Sequence, residues 1–186
     1  MTIQHPTVPK PELGWVAEPF VLKDPRGKEY DLAQDLGKRT VVLAFICNHC
    51  PYVHAIVRAM VADLKQLQDE GVAVHAVMSN DYRTYTDDSP VLMLDFAKRF
   101  GFTFPYLVDE KQAVARVYDA VCTPEFFGIN AQGVLSYRGR LDDSRASNSP
   151  IRNAELVDAM RMISKTGSSP QKQFSSMGCS IKWSNC

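Results

Sequence analysis

The stretch TVVLAFICNHCP, residues 40–51, decides how the rest of the chain is read. Residues 40–46 are rich in β-branched side chains and apolar at odd and even positions alike, as in a central strand covered by helices on both faces. Two cysteines spaced CxxC follow at its carboxyl end. Beyond Pro51 the residues Val53, Ile56, Val57, Met60, Leu64 and Leu67 recur at three- and four-residue spacing, with Arg58, Asp63, Lys65 and Asp69 between them. That pattern predicts an amphipathic helix ending near Gly71. VAVHAVM, residues 72–78, reads as a second buried strand. A strand, a helix of this length and another strand make a right-handed crossover between parallel strands. In such sheets functional groups gather beyond the carboxyl ends of the strands, where Cys47 falls.

Working outward, EPFVLKDPRGKEYDL places two short alternating segments around Asp24-Pro25-Arg26-Gly27, a turn that predicts a β-hairpin. Residues 1–16, rich in proline and polar side chains, precede it as a surface wrap. Downstream, Ser89-Pro90 offers an N-cap and a first-turn proline to a helix that reaches Phe100 and stops at Gly101. A short strand over 104–108 and a helix from Glu110 to about Asp119 follow, with Asp109 and Gln112 spaced like a capping box. FFGIN, the NAQG turn and VLSYR read as an antiparallel hairpin, and Ser149-Pro150 as the start of a last helix bearing Leu156, Val157, Met160 and Ile163. The expected organisation is one α/β domain over residues 1–165, with its core over about 17–165, and a tail over 166–186 able to dock on it.

Lys plus Arg and Asp plus Glu both total 21 in 186 residues, so nothing in the overall charge draws the chain to nucleic acid or an anionic membrane. The amino terminus lacks the basic segment and apolar run of a secretory signal, and VVLAFIC is far short of the ~20 residues that span a bilayer. A cytoplasmic setting is the expectation. Five cysteines is an odd number, and Cys122, Cys179 and Cys186 follow no framework spacing. In a reducing compartment a CxxC pair is more often catalytic or metal-binding than a staple.

Three chemistries compete for Cys47 and Cys50. Structural zinc needs a second pair of ligands, and no other CxxC or HxxxH occurs. A purely structural bridge across so short a loop removes little unfolded-state entropy. Redox exchange remains: at the helix start, unpaired N–H groups and the positive end of the dipole lower a thiol pKa from ~8.5 toward ~3.5–7.5. On this reading Cys47 is the attacking thiolate and Cys50, one turn on, the resolving thiol. An imidazolium at His49 would favour the thiolate further.

The order of elements, together with VVLAFICNHCP, SND at 79–81, DDSP at 87–90, FPYLVDE at 104–110, CTPEFFGI at 122–129, YRGRLDDSR at 137–145 and the closing GCSIKW, resembles the thioredoxin superfamily. More narrowly it resembles the peroxiredoxin-like (AhpC/TSA-type) proteins, a group close to the TlpA-like thiol-disulfide oxidoreductases. The resemblance covers about residues 17–165. It implies a thioredoxin-like fold with an N-terminal β-hairpin, an inserted helix-strand unit and a central mixed sheet flanked by helices. It also implies that Thr123-Pro124 is a cis peptide whose backbone faces the cysteines and pairs with a substrate's extended chain. Asn48, His49, Thr123 and Pro124 are then the substrate-contacting residues. No metal or organic cofactor is expected, and the partners are a protein or small-molecule disulfide and a dithiol electron donor.

Two positions depart from that pattern. Thioredoxins carry a buried acid six positions before the first cysteine, where this chain has Val41, so water, His49 or Glu125 would serve Cys50 as proton acceptor. Typical peroxiredoxins carry PxxxTxxC, which neither cysteine satisfies. A thiol peroxidase, an antioxidant activity, is therefore the alternative function. A copper-delivery module using both cysteines and a histidine is the third.

Of the remaining candidates, Cys122 reads as a buried packing residue. Cys179 is either a third redox thiol or a free tail thiol. His54 either flanks the site or sits on the side of its helix. His75, in mid-strand, reads as a hydrogen-bonded core histidine. Asn80 and Asp81 either shape the cleft or cap a turn. Arg140, Asp142, Asp143 and Arg145 form a mixed-charge loop.

Overall fold

A computed structural model describes residues 12–144 and 151–184. Arg145, Cys186, the Ser149-Pro150 helix start and most of the N-terminal wrap lie outside the described residues. The strands are β1 (Val21–Lys23), β2 (Glu29–Asp31), β3 (Val41–Phe45), β4 (Ala73–Met78), β5 (Tyr106–Val108), β6 (Cys122–Thr123), β7 (Glu125–Ile129), β8 (Leu135–Gly139) and β9 (Cys179–Ser180). The helices are α1 (Pro51–Asp69), α2 (Pro90–Phe100), α3 (Ala113–Val117) and α4 (Glu155–Thr166). None of them is long and apolar enough to cross a membrane.

Seven strands form one mixed sheet in the order β2-β1-β5-β4-β3-β7-β8. β3 runs parallel to β4 and antiparallel to β7, with Phe45 opposite Val77 and Glu125. All five residues of β3 are buried, and strand alternation divides them between two apolar cores. Val42 and Ala44 face one core with Val53, Met60 and Leu64 of α1 and Leu156 and Met160 of α4. Val41, Leu43 and Phe45 face the other, with Val114, Tyr118 and Phe127. Fully burying each such side chain contributes about 1.5–3 kcal/mol. β3 is thus held from both sides, and the loop at its carboxyl end starts from a fixed point.

α4 lies close against β7 and β8. An added Cβ at Gly128 would stand 2.5 Å from Met160 Sδ and 2.8 Å from Tyr137 Cβ, too near for either to remain. Gly128→Ala is therefore expected to cost about 1–3 kcal/mol through overpacking, read as a lower denaturant midpoint with an unchanged m-value.

The fold departs from the sequence expectation around Asp109. The helix predicted over 110–119 is only Ala113–Val117, and of the two residues spaced like a capping box only Asp109 caps it with its side chain. Asp109 accepts hydrogen bonds from Ser79 Oγ and from the Val114 and Ala115 N–H groups. Gln112 sits at φ +56° outside the helix, and its amide donates to the Ser79 and Lys182 carbonyls while accepting from Ser184 N–H. A residue expected to cap a helix instead holds the C-terminal segment.

His75 bonds Asp35 through Nε2 at 2.8 Å, the core role read for it. The charged residues after β8 tie the sheet to α1 and α4. Arg140 pairs with Glu155, Arg152 bridges Asp63 of α1 and Asp142, and Asp143 accepts from the Asn153 backbone.

Candidate redox site

α1 begins at Pro51, so its N-cap is Cys50, and residues 46–50 form the turn between strand and helix. One acid organises this turn. Asp88, wholly buried ahead of α2, accepts the Asn48 N–H at 2.7 Å and the His49 N–H at 3.2 Å on Oδ1. On Oδ2 it accepts from His49 Nδ1 at 2.6 Å and Asn80 Nδ2 at 2.8 Å. An ionised carboxylate is acceptor-only, so His49 carries its proton on Nδ1. Asn48 is fixed further: its amide donates to the Asp87 carbonyl, its Oδ1 accepts from Tyr106, and its carbonyl accepts from His54 Nε2 at 2.6 Å. His54 therefore belongs to the site. Sequence reading gave Asp88 no role, although it lies in the DDSP segment.

The four described cysteines are free thiols, and three of them meet at Thr123. Cys47 Sγ lies 3.3 Å from Thr123 Oγ1. Cys50 Sγ lies 3.1 Å from the Thr123 carbonyl and 3.1 Å from Cys179 Sγ. Thr123-Pro124 is a cis peptide, as the resemblance implied. Cys47, Cys50 and Thr123 are buried, and Cys179 is partly exposed.

The electrostatics of the pair are lopsided. Cys50 falls to about 4, first through the hydrogen bond from the Cys47 thiol, then through the Cys179 thiol and the Val53 and Cys179 backbone N–H groups, with burial working against them. Cys47 rises far above an ordinary thiol because it donates to Cys50, is buried, and faces the Asp88 carboxylate. Sequence reading placed the thiolate on Cys47, at or just before the first helical turn, with Cys50 as the resolving thiol. The helix opens three residues beyond Cys47 with Cys50 as its N-cap, and the Val53 N–H of its first turn is one of the groups that lower the Cys50 thiol.

The other candidates fall into place around this centre. Glu125, one of the proton acceptors considered for Cys50, has its oxygens engaged elsewhere, accepting from Val121 N–H and Arg138 Nε. Burial, then the Glu125 charge, pushes the Cys122 thiol up to about 12, so it is the inert packing residue expected. Asn80 joins the turn through Asp88, whereas Asp81 accepts from Thr84 in a local turn. Among the described residues, Cys47, His49 and Asp88 bring one ligand atom each within 4.8 Å of one another. That set leaves out Cys50, and it draws on a carboxylate already accepting four hydrogen bonds. It is not the soft thiolate set that Cu(I) prefers.

The sequence pattern of the AhpC/TSA family matches residues 13–138. A thiol-disulfide oxidoreductase, ResA, of Bacillus subtilis (strain 168) is 30% identical over 114 residues, which cover 61% of this chain and 59% of that protein. The chain thus spans under two thirds of the length of that relative. The crystal structure of an uncharacterized conserved protein from Geobacillus kaustophilus superposes with a TM-score of 0.86 at 38% identity, covering 94% of each chain. The solution structure of a putative protein disulfide isomerase from Bacteroides thetaiotaomicron superposes with a TM-score of 0.65 at 22% identity, over 84% of this chain and 92% of that one, and shares the thioredoxin-like fold.

Proposed function

The chain belongs to the AhpC/TSA family within the thioredoxin superfamily, and from that premise we propose that it is a thiol-disulfide oxidoreductase working through the Cys47–Cys50 pair. The observation that carries this reading is the thiol pair at the start of α1, with both sulfurs against Thr123. In the cycle, the Cys50 thiolate attacks one sulfur of a substrate disulfide; an S–S bond to Cys50 forms and one substrate thiolate leaves. Cys47 then loses its proton and attacks Cys50 Sγ, expelling the second substrate thiol and leaving a Cys47–Cys50 disulfide. A dithiol donor reverses these steps. Low thiolate pKa makes the disulfide the more oxidising state, because the reduced form is stabilised. No other cofactor enters the cycle.

A second reading has its own support. A low-pKa thiolate flanked by two thiols suits a thiol peroxidase, in which peroxide oxidises Cys50 to sulfenic acid and a neighbouring thiol condenses with it to a disulfide and water. One experiment separates the two. Stopped-flow rates of the reduced chain with a protein disulfide and with hydrogen peroxide should show exchange faster than a free alkyl thiol at neutral pH, and peroxide consumption no faster than that thiol. The reverse ranking selects the peroxidase; a chain no faster than the free thiol toward either reagent loses both readings.

A further inference from the structure

We propose that Cys179 is a third redox thiol, which takes the disulfide over from Cys47 so that the oxidised chain is bridged Cys50–Cys179. This deepens the proposed function and rests on Cys47 and Cys50 being a redox pair.

The placement of Cys179 is built, not incidental. β9 pairs antiparallel with β6, Cys179 opposite Thr123 and Ser180 opposite Cys122. The chain's own tail thus occupies the Thr123 backbone edge, where an extended substrate strand would pair. Gly178 makes the approach possible, because a Cβ there would run into the Thr123 carbonyl carbon and oxygen. On the far side Ile181 is buried in the second core and donates its N–H to the Val121 carbonyl. Lys182 N–H bonds Asn80 Oδ1, and its carbonyl accepts from Asp81 N–H and Gln112 Nε2. On the near side Gln173 is bonded to β8, and the Phe174 carbonyl accepts from Arg140 N–H just beyond it. A segment held at both ends therefore sets its sulfur 3.1 Å from Cys50 Sγ, about 1 Å beyond the ~2.05 Å of a disulfide.

The step balances without an outside reagent. Starting from the Cys47–Cys50 disulfide, the Cys179 thiolate attacks Cys50 Sγ, the Cys50–Cys179 bond forms and the Cys47–Cys50 bond breaks. Cys47 leaves as thiolate and is reprotonated through solvent by the proton Cys179 gave up. One disulfide is lost and one gained. In the reduced chain Cys179 is raised to about 11, first by burial and then by Cys50, with Lys182 opposing. Once Cys50 is in a disulfide its charge is gone, and the attacking thiol ionises more readily. Cys47, buried under the Asp88 charge, is the member that favours remaining protonated. With the bridge closed the tail is fixed on the Thr123 edge and keeps other strands off it.

The test is a disulfide map of the full chain. The reduced protein is oxidised with a small disulfide such as oxidised glutathione, its free thiols are alkylated in acid, and tryptic peptides are read by mass spectrometry. Cys47 and Cys50 share peptide 40–58, whereas Cys179 lies in 173–182. The expected major product links 40–58 to 173–182 through Cys50, with Cys47 alkylated. Cys179→Ser should give 40–58 with an internal bridge, and Gly178→Val, which forces β9 off Thr123, should do the same. An internally bridged 40–58 with Cys179 alkylated in the wild type overturns the inference and leaves the redox pair standing. No disulfide on 40–58 in any variant overturns both.

Discussion

Cys50→Ser is expected to lower disulfide exchange by about a thousand-fold or more, as loss of a nucleophile does. It should also remove the low-pH step in the ultraviolet thiolate absorbance of the reduced chain. In the unaltered protein that step should have its midpoint near pH 4, where Cys50 titrates. Cys47→Ala removes the donor that lowers Cys50 most, so its step should move up by a unit or more while the Cys50 thiol itself remains. The stability sign follows from linkage. A thiol at about 4 when folded and ~8.5 when unfolded adds stability that is complete above the unfolded value and is lost as pH falls toward the folded one. Between those limits the slope from this group is at most about 1.4 kcal/mol per pH unit. Cys47 acts oppositely: its folded pKa is raised, so above ~8.5 the unfolded chain ionises first and stability falls again. Reduced wild type should therefore gain stability from pH 5 to 8, and Cys50→Ser should flatten that rise. A thiolate step near pH 8 with no slope difference between the two proteins would show that the charge does not reside on Cys50.

The large elements were legible because each repeats a pattern. VVLAF is apolar on both faces because it is buried on both, and the spacing from Val53 to Leu67 is that of the face α1 turns to the sheet. The helix start was legible from Pro51 at the first helical position; what the reading left aside is that this makes Cys50, and not Cys47, the N-cap. Gln112 misled for a different reason. Its spacing from Asp109 satisfies a local rule, but its amide bonds the Ser79 carbonyl and, some seventy residues away in sequence, Lys182 and Ser184. β9 is two residues long and has no periodicity to find, so the approach of Cys179 to Cys50 arises wholly from tertiary anchoring. Asp88 was hidden likewise: an acid in a polar run reads as solvated, and only the fold reveals that it is wholly buried beneath the cysteine turn.

That burial makes Asp88 the residue whose loss should be felt most outside the thiols. Asp88→Ala leaves the Asn48 and His49 N–H groups, His49 Nδ1–H and Asn80 Nδ2 without their acceptor. Removing one partner of a buried, charge-assisted cluster costs about 3–5 kcal/mol, since the groups left behind keep their desolvation penalty. For a chain of this size the melting temperature should fall by about 6–20 °C. Asp88→Asn keeps the volume and one acceptor oxygen but sets an amide N–H₂ against Asn80 Nδ2, so its loss should be smaller. The chemistry should change in a direction that stability alone does not set. The Asp88 charge helps hold Cys47 above the ordinary thiol range, so either substitution should lower the Cys47 pKa. Cys47 should then be alkylated at a lower pH than in the wild type, read from iodoacetamide rates across the alkaline range. A melting temperature within about 2 °C of wild type together with an unchanged pH profile of Cys47 alkylation would mean that the turn is held by Tyr106 and His54 through Asn48, and that Asp88 only fills its site.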